Sequence, residues 1–174
     1  YGVADLQPES SRNVEAGLRY AQGASQFGVV VYRNEVTDLI NFGAPGPCAS
    51  SFGCYENAGE AVLKGVTLSG AQRLGAVNLW GSVDFQKPLN VDTDRIFARR
   101  ARRHAQLGAD ATLGDWTVGG DLKLVGERFD NAANTRRLGG YGLVGLHASR
   151  SVAQDWTLLA RVDNVGDKDY AVAR

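Results

Sequence analysis

The sequence predicts an all-β chain of antiparallel strands, and three observations predict it. Apolar and polar residues alternate with a period of two in segment after segment. The connections between those segments are short and long in turn. No stretch approaches the ~20 consecutive apolar residues of a membrane helix, and no segment reads convincingly as any other helix.

The first segment sets Val14, Ala16, Leu18 and Tyr20 against Glu15, Gly17 and Arg19. A second strand, at about 26–41, is less clean: Val29, Val30 and Val31 are apolar on both sides, so the pattern leaves their faces open. A third spans about 61–72. The fourth sets Val77, Leu79, Gly81, Val83 and Phe85 against Asn78, Ser82 and Asp84, with Trp80 out of place on the polar side. The fifth, 103–113, sets Ala105, Leu107, Ala109, Ala111 and Leu113 against His104, Gln106, Asp110 and Thr112. The sixth opposes Trp116, Val118, Leu122 and Leu124 to Thr117, Asp121, Lys123 and Glu127. The seventh opposes Val144, Leu146 and Ala148 to His147 and Ser149. The eighth opposes Trp156, Leu158, Ala160 and Val162 to Thr157, Arg161 and Asp163.

Short turns are expected at 22–24, 74–76, 113–115 and 153–155, and longer loops at about 42–57, 87–97 and 129–139. Short turns at one end and long loops at the other are the pattern of a bacterial transmembrane barrel; a soluble sandwich has turns every ~8–12 residues. Ionisable residues well inside the strands (Asp84, Asp110, Asp121, Lys123, Arg161) suit a hydrated lumen. Asp-Trp-Thr recurs at 115–117 and 155–157, each time just after a short turn. Trp116 and Trp156 are therefore expected at one height on the apolar face, as an aromatic girdle at the membrane boundary. The alternative is a soluble barrel or sandwich with two core tryptophans.

Composition narrows the function classes. The 19 basic and 19 acidic residues balance, so nothing steers the chain toward nucleic acid. The 22 Gly and 4 Pro favour tight turns over disorder. Cys48 and Cys54, the only cysteines, lie in a Gly/Pro/Ser-rich stretch and read as a small loop-closing disulfide. A redox pair or half a metal site is the weaker alternative, because CxxC spacing is missing and His104 and His147 lie far off in sequence. No Ser/His/Asp constellation, GxSxG or phosphate loop suggests an enzyme, and no cofactor is implied. The basic run Arg99, Arg100, Arg102, Arg103 is the sharpest charge feature. In an extended segment Arg100 and Arg102 share one face and Arg99 and Arg103 the other. Arg100 and Arg102 are candidate contacts for an anionic ligand or lipopolysaccharide phosphates; otherwise they are a solvated loop-to-strand junction.

Four segments carry a family resemblance. Asp5-Leu6-Gln7-Pro8-Glu9 resembles "DLKPE", and Tyr32-Arg33-Asn34-Glu35-Val36-Thr37-Asp38-Leu39-Ile40 resembles "YRNxVxDLI". Asn57-Ala58-Gly59-Glu60-Ala61 with Lys64-Gly65-Val66 resembles "NxGxAxxKGVE". Arg161-Val162-Asp163-Asn164-Val165-Gly166-Asp167-Lys168-Asp169-Tyr170 resembles "RVDNLFDKDY". In this order they are similar to the TonB-dependent outer-membrane receptors, among them the vitamin B12 transporter and siderophore receptors. Thr67 departs from the family's usual Glu, and Gly166 from its aromatic or Leu.

The resemblance implies a 22-stranded plugged barrel, of which residues 1–174 supply about eight strands. The plug with its TonB box, the N-terminal strands and the final strand are expected outside this sequence, whose first residue is Tyr1. It implies active uptake of a scarce ligand (cobalamin or a ferric siderophore), coupled through the TonB protein bound by the plug, with outer-membrane lipid around the wall. The alternative functions are a passive porin-like barrel and a soluble ligand-binding barrel. The resemblance also orients the chain in the bacterial outer membrane, with short turns periplasmic and the Cys48–Cys54 loop outside.

Overall fold

Four two-residue turns decide the topology. The computed structural model describes residues 2–46, 48–57 and 59–174. Thirteen strands run through them: β1 (Ser10–Gln22), β2 (Ser25–Thr37), β3 (Ile40–Phe42), β4 (Tyr55–Asn57), β5 (Ala61–Leu74), β6 (Val77–Asn90), β7 (Arg95–Ile96), β8 (Arg103–Leu113), β9 (Trp116–Val125), β10 (Arg128–Phe129), β11 (Arg137–Leu138), β12 (Tyr141–Ala153) and β13 (Trp156–Val162). Eight are long and correspond to the eight alternating segments. They form one antiparallel sheet in the order β1-β2-β5-β6-β8-β9-β12-β13, each pairing with its successor.

The five short strands were not legible as strands, and all lie in the long connections. β3 pairs β4, β10 pairs β11, and β7 adds to the end of β6. The second segment is also shorter than its pattern suggested. Asp38 takes a left-handed conformation (φ 56°), which ends β2 and sends the chain into β3.

Each turn at the other end closes on two residues. Gln22 pairs with Ser25, Leu74 with Val77, Leu113 with Trp116 and Ala153 with Trp156. Three turns place a glycine first with positive φ (Gly23, Gly75, Gly114), the backbone that a twisted hairpin needs. The fourth, Gln154-Asp155, has no glycine; a register shift between Ser151 and Ala153 accompanies it.

The register drifts steadily from strand to strand. Ser25 at the turn end of β2 faces Gln72, so β5 runs two residues further; Val77 faces Ala111, two short of Leu113; Trp116 faces Arg150, three short of Ala153. Averaged over the sheet this is about one residue per strand. With ~3.3 Å per residue and ~4.8 Å between strands, the strands tilt by roughly 35°. That is the tilt of a closing barrel wall, yet the outer edges of β1 and β13 are unpaired among the described residues.

Register also assigns the faces. Leu18 faces Val29, Val29 faces Leu68, Leu68 faces Val83, and Leu107 faces Leu122, which makes one continuous apolar face. Val30 belongs to the other face, between Gly17 and Thr67, while Val29 and Val31 are apolar-facing. With one layer only, the middle of the sheet has no core: Leu68 is 46% exposed and Leu107 45%. Burial is instead gathered at the loop end, at Cys54, Ala61, Pro88, Ala101, Val125, Arg128, Asp130 and Leu138, where the connections fold over the strand tips. Three of the resembling segments meet there. Asn57 Oδ1 accepts the Gln7 N–H at 2.8 Å, and its Nδ2 donates to Gln7 O at 2.8 Å and Asp38 O at 2.7 Å.

Candidate functional site

The polar face carries three clusters, each spanning several strands. Thr67 Oγ1 on β5 donates to Asp84 Oδ1 on β6 at 2.6 Å, which gives Thr67 a partner where the family pattern has Glu. On β13, Arg161 Nη2 holds Asp121 Oδ1 of β9 at 2.9 Å and Asp163 at 2.7 Å.

The third cluster explains the misplaced tryptophan. Trp80 Nε1 donates to Asp110 Oδ2 at 2.7 Å, and His147 Nε2 lies 2.7 Å from Asp110 Oδ1. Two glycines leave the room. A Cβ on Gly108, opposite Trp80, would meet the indole at 2.2 Å, and one on Gly119 would meet Asp110 Oδ1 at 2.4 Å. Trp80 is thus on the polar face because its N–H has a charged acceptor there.

At the loop end the long connections between β6 and β8 and between β9 and β12 fold together. Asp130, with its side chain 2% exposed, accepts from Arg99 Nε at 3.1 Å and pairs with Arg136 Nη2 at 3.1 Å. The Arg174 N–H also donates to it at 3.2 Å, and these contacts, that backbone hydrogen bond foremost, hold its carboxyl below the usual carboxylate range. Asn134 ties the same loops together, accepting the Ile96 N–H at 2.8 Å and donating to Ile96 O at 2.7 Å.

Next to this knot is a basic cleft of about 10 Å³, lined by Arg100, Arg102, Arg128 and Arg137, with Glu127 the one acid. Arg128 is 6% exposed; its Nη2 donates to Ala171 O and its guanidinium stacks over Tyr141, 5.4 Å from the ring centre. Its Nη1 is buried with no hydrogen-bond partner among the described residues. Arg137 also lines an adjoining cavity of about 420 Å³ with Lys168, Tyr141 and Tyr170, whose rings stack at 4.3 Å. The larger cavity has room for an anionic, partly aromatic group, whereas the cleft admits little more than a water and presents its guanidinium groups beside it.

The predicted residues divide as follows. Arg100 and Arg102 line the basic cleft together, and the Gln86 N–H bonds Arg102 O, so Arg102 follows the polar-face register. Arg99 is not extended: its φ of 61° turns it out of the run and onto Asp130. Cys48 and Cys54 form a disulfide with Cα atoms 5.7 Å apart. Trp116 and Trp156 lie on the apolar face at the turn end, 45% and 71% exposed, and Arg150 stacks over Trp116 at 5.5 Å. Arg128, Asp130 and Tyr141 were not singled out from sequence, and Tyr170 only as the end of a resembling segment. Only loop packing brings them together, and their immediate neighbours carry no periodic signal.

Comparison with known proteins agrees with this architecture. A family model described as "TonB dependent receptor-like, beta-barrel" matches residues 1–165. The chain is 27% identical over 172 residues to a protein of Vibrio vulnificus named "Vitamin B12 transporter BtuB", covering 99% of this chain and 27% of that protein. It is 28% identical over 171 residues to one of the same name from Photobacterium profundum, covering 97% and 28%. It thus spans little more than a quarter of the length of these relatives. Among solved structures it superposes on "Copper transporter OprC" with a TM-score of 0.81 at 24% identity, over 98% of this chain and 28% of that one. It superposes on the FrpB iron transporter of Neisseria meningitidis with a TM-score of 0.75 at 18% identity, over 97% and 28%. These structures share its fold. With the model matched along nearly the whole sequence, and the sheet built as a tilted, two-faced wall, the chain belongs to the TonB-dependent receptor-like β-barrel family.

Proposed function

We propose that this chain is a wall segment of an outer-membrane active transporter, which takes up a scarce ligand with energy coupled through TonB. The observation that carries this is the two-faced, tilted, open-edged sheet. The apolar face ends in tryptophans at the turn end, and the opposite face carries Asp84, Asp110, Asp121 and Arg161. An apolar face on a single layer needs lipid, and charges inside strands need a watery or plugged lumen. The edges of β1 and β13, unpaired among the described residues, call for further strands in this reading. In this reading the plug, which binds TonB, and the rest of the barrel belong to the parent protein. Trp116 and Trp156 form part of the periplasmic aromatic girdle, and the Cys48–Cys54 loop faces outward.

The ligand is proposed to be cobalamin or a ferric siderophore. The relatives named as vitamin B12 transporters, at 27% and 28% identity, support the first. Arg100 and Arg102, with Arg128 and Arg137, are proposed as contacts for an anionic group of that ligand, and the adjoining Tyr141–Tyr170 cavity for its bulkier part. A passive porin and a soluble barrel are not favoured, since neither has the family's motif set. The test is uptake of labelled cobalamin and of ferric siderophores, one by one, in a strain lacking the parent gene and in one lacking TonB. Loss of one ligand's uptake in both strains supports the reading. Uptake that survives loss of TonB overturns it.

A further inference from the structure

The apolar face is not apolar to its loop-end limit. Arg33 on β2 lies directly opposite Lys64 on β5, and Lys64 directly opposite Lys87 on β6. Arg103, at the start of β8, pairs with Phe85, two residues along β6 from Lys87, and so extends the row to a fourth strand. The register puts all four on the same face as Val66, Leu68, Val83 and Leu107, and all four are exposed.

Like charges directly opposite each other across strands are destabilising, since their Cβ atoms are only about 5 Å apart. A protein relieves this with interleaved acids, but here only Arg33 has one, Glu35 at 2.6 Å on its own strand. Lys64, Lys87 and Arg103 form no ion pair among the described residues. Arg102 of the basic cleft, whose carbonyl accepts the Gln86 N–H, follows the polar face and does not serve the same surface.

The position of the row matters as much as its charge. Phe85 and Val66 are the next apolar-facing residues toward the turns, and Trp116 closes the same face at the far end of the β8–β9 hairpin. The 11 residues of β8 span the interval. At the tilt of roughly 35° this is about 27 Å of height, close to the ~25 Å apolar band of an outer-membrane barrel. The cations therefore sit where hydrocarbon gives way to headgroups, at the boundary opposite the tryptophans.

We propose that Arg33, Lys64, Lys87 and Arg103 form a binding site on the outside of the barrel for the phosphates of lipopolysaccharide. The inference rests on the membrane orientation proposed above, which makes the loop end the outer-leaflet end. A phosphorylated glycolipid bears several negative charges without a compensating amine, which suits a row of cations with one acid. A zwitterionic phospholipid brings its own ammonium group to a surface already crowded with cations. Each phosphate accepts from ammonium and guanidinium donors, and neutralising the row removes the repulsion along it.

The test uses the full-length receptor, extracted in mild detergent and purified from the outer membrane. Lipopolysaccharide retained per receptor is measured by its phosphate and 3-hydroxy acyl chains. Lys64→Gln, Lys87→Gln and Arg103→Gln are each expected to lower retention by about fivefold at low salt, the effect of one cation near an anionic lipid surface. The triple variant is expected to retain none above background. Arg150→Gln removes a cation from the same face at the turn end and is expected to leave retention unchanged. Equal loss in Arg150→Gln, or no loss in the triple variant, overturns the site. Delipidated receptor offered phosphatidylethanolamine should not recover thermal stability, whereas lipopolysaccharide should; equal recovery with both also overturns it. Fractionation and heat-modifiability of each variant report separately on membrane insertion, so failure of the orientation is distinguishable from failure of the site.

Discussion

Trp80 Nε1 donates to Asp110 Oδ2 at 2.7 Å from the neighbouring strand, and the space for the indole exists because residue 108 has no side chain. Asp110 also meets His147 at 2.7 Å, so one carboxylate ties β6, β8 and β12 together on the polar face. Replacing Asp110 with Ala leaves both partners without their acceptor. The expected cost is about 2 kcal/mol, because hydrogen bonds to a charged group contribute about 1.5–3 kcal/mol and the site is only partly buried. Denaturant unfolding of the full-length receptor in detergent measures it. A change within about 0.5 kcal/mol of wild type would show that the cluster is incidental.

The two clearance glycines make a sharper claim. Gly108→Val and Gly119→Val are expected to destabilise the barrel by about 1–3 kcal/mol each through overpacking against the Trp80 ring and the Asp110–His147 pair. Gly139→Val, where an added Cβ meets nothing within 4 Å, is the control and should be near neutral. Melting of the three variants side by side checks the order.

The disulfide is expected to act locally. A loop closed by Cys48 and Cys54, six apart in sequence, contributes about 2 kcal/mol in the chain-entropy account. Cys48→Ser with Cys54→Ser should raise hydrogen exchange and protease sensitivity around β3 and β4 while leaving the main transition unchanged. A large fall in the global midpoint would contradict this.

Asp130 predicts a pH dependence confined to the loop end. Its carboxyl is held below its usual range by the Arg174 N–H, Arg99 and Arg136. A depressed acid stabilises the fold at every pH above its ordinary value of ~3.9, and the contribution disappears as pH falls through the lower folded value. Loop-end order, read by hydrogen exchange of residues 128–138, should therefore be flat from neutral to about pH 5 and fall only below about pH 4. Asp130→Asn should show the loosened state at neutral pH and no acid transition. Loosening between pH 6 and 5 would assign the effect to another group.

The aromatic positions are open to fluorescence. Trp116 and Trp156 face away from the polar side, and Trp80 faces into it. In bilayers of lipid brominated near the headgroup, Trp116→Phe and Trp156→Phe should each remove quenchable emission. Trp80→Phe should remove only unquenched emission, and quenching of Trp80 would reverse the assigned faces.

Much of this was legible in the chain itself. Period-two alternation located the eight long strands, because side chains point to opposite faces in turn and the two faces meet different media. Gly-Ala, Gly-Ala and Gly-Asp marked three of the four turns by the positive φ that glycine adopts at little cost. The Asp-Trp-Thr repeat put Trp116 and Trp156 on one face at one end, since each follows a two-residue turn and so starts its strand in the same phase.

Other features waited for the tertiary structure, and for one physical reason: alternation describes a strand, and only pairing describes a sheet. The faces of Val29, Val30 and Val31 could not be read until Leu18 and Leu68 were set beside Val29. The roughly 35° tilt exists only in the drift of register between strands. The row from Arg33 to Arg103 is dispersed over four separate strands in sequence and becomes one surface through cross-strand pairing. The run at 99–103 showed its charge in sequence, but not that Arg99 would turn onto Asp130, nor that Arg128 and Arg137 would join Arg100 and Arg102. Those residues lie in the long connections, where packing between distant loops decides the conformation and the short β10 and β11 carry no period to announce it.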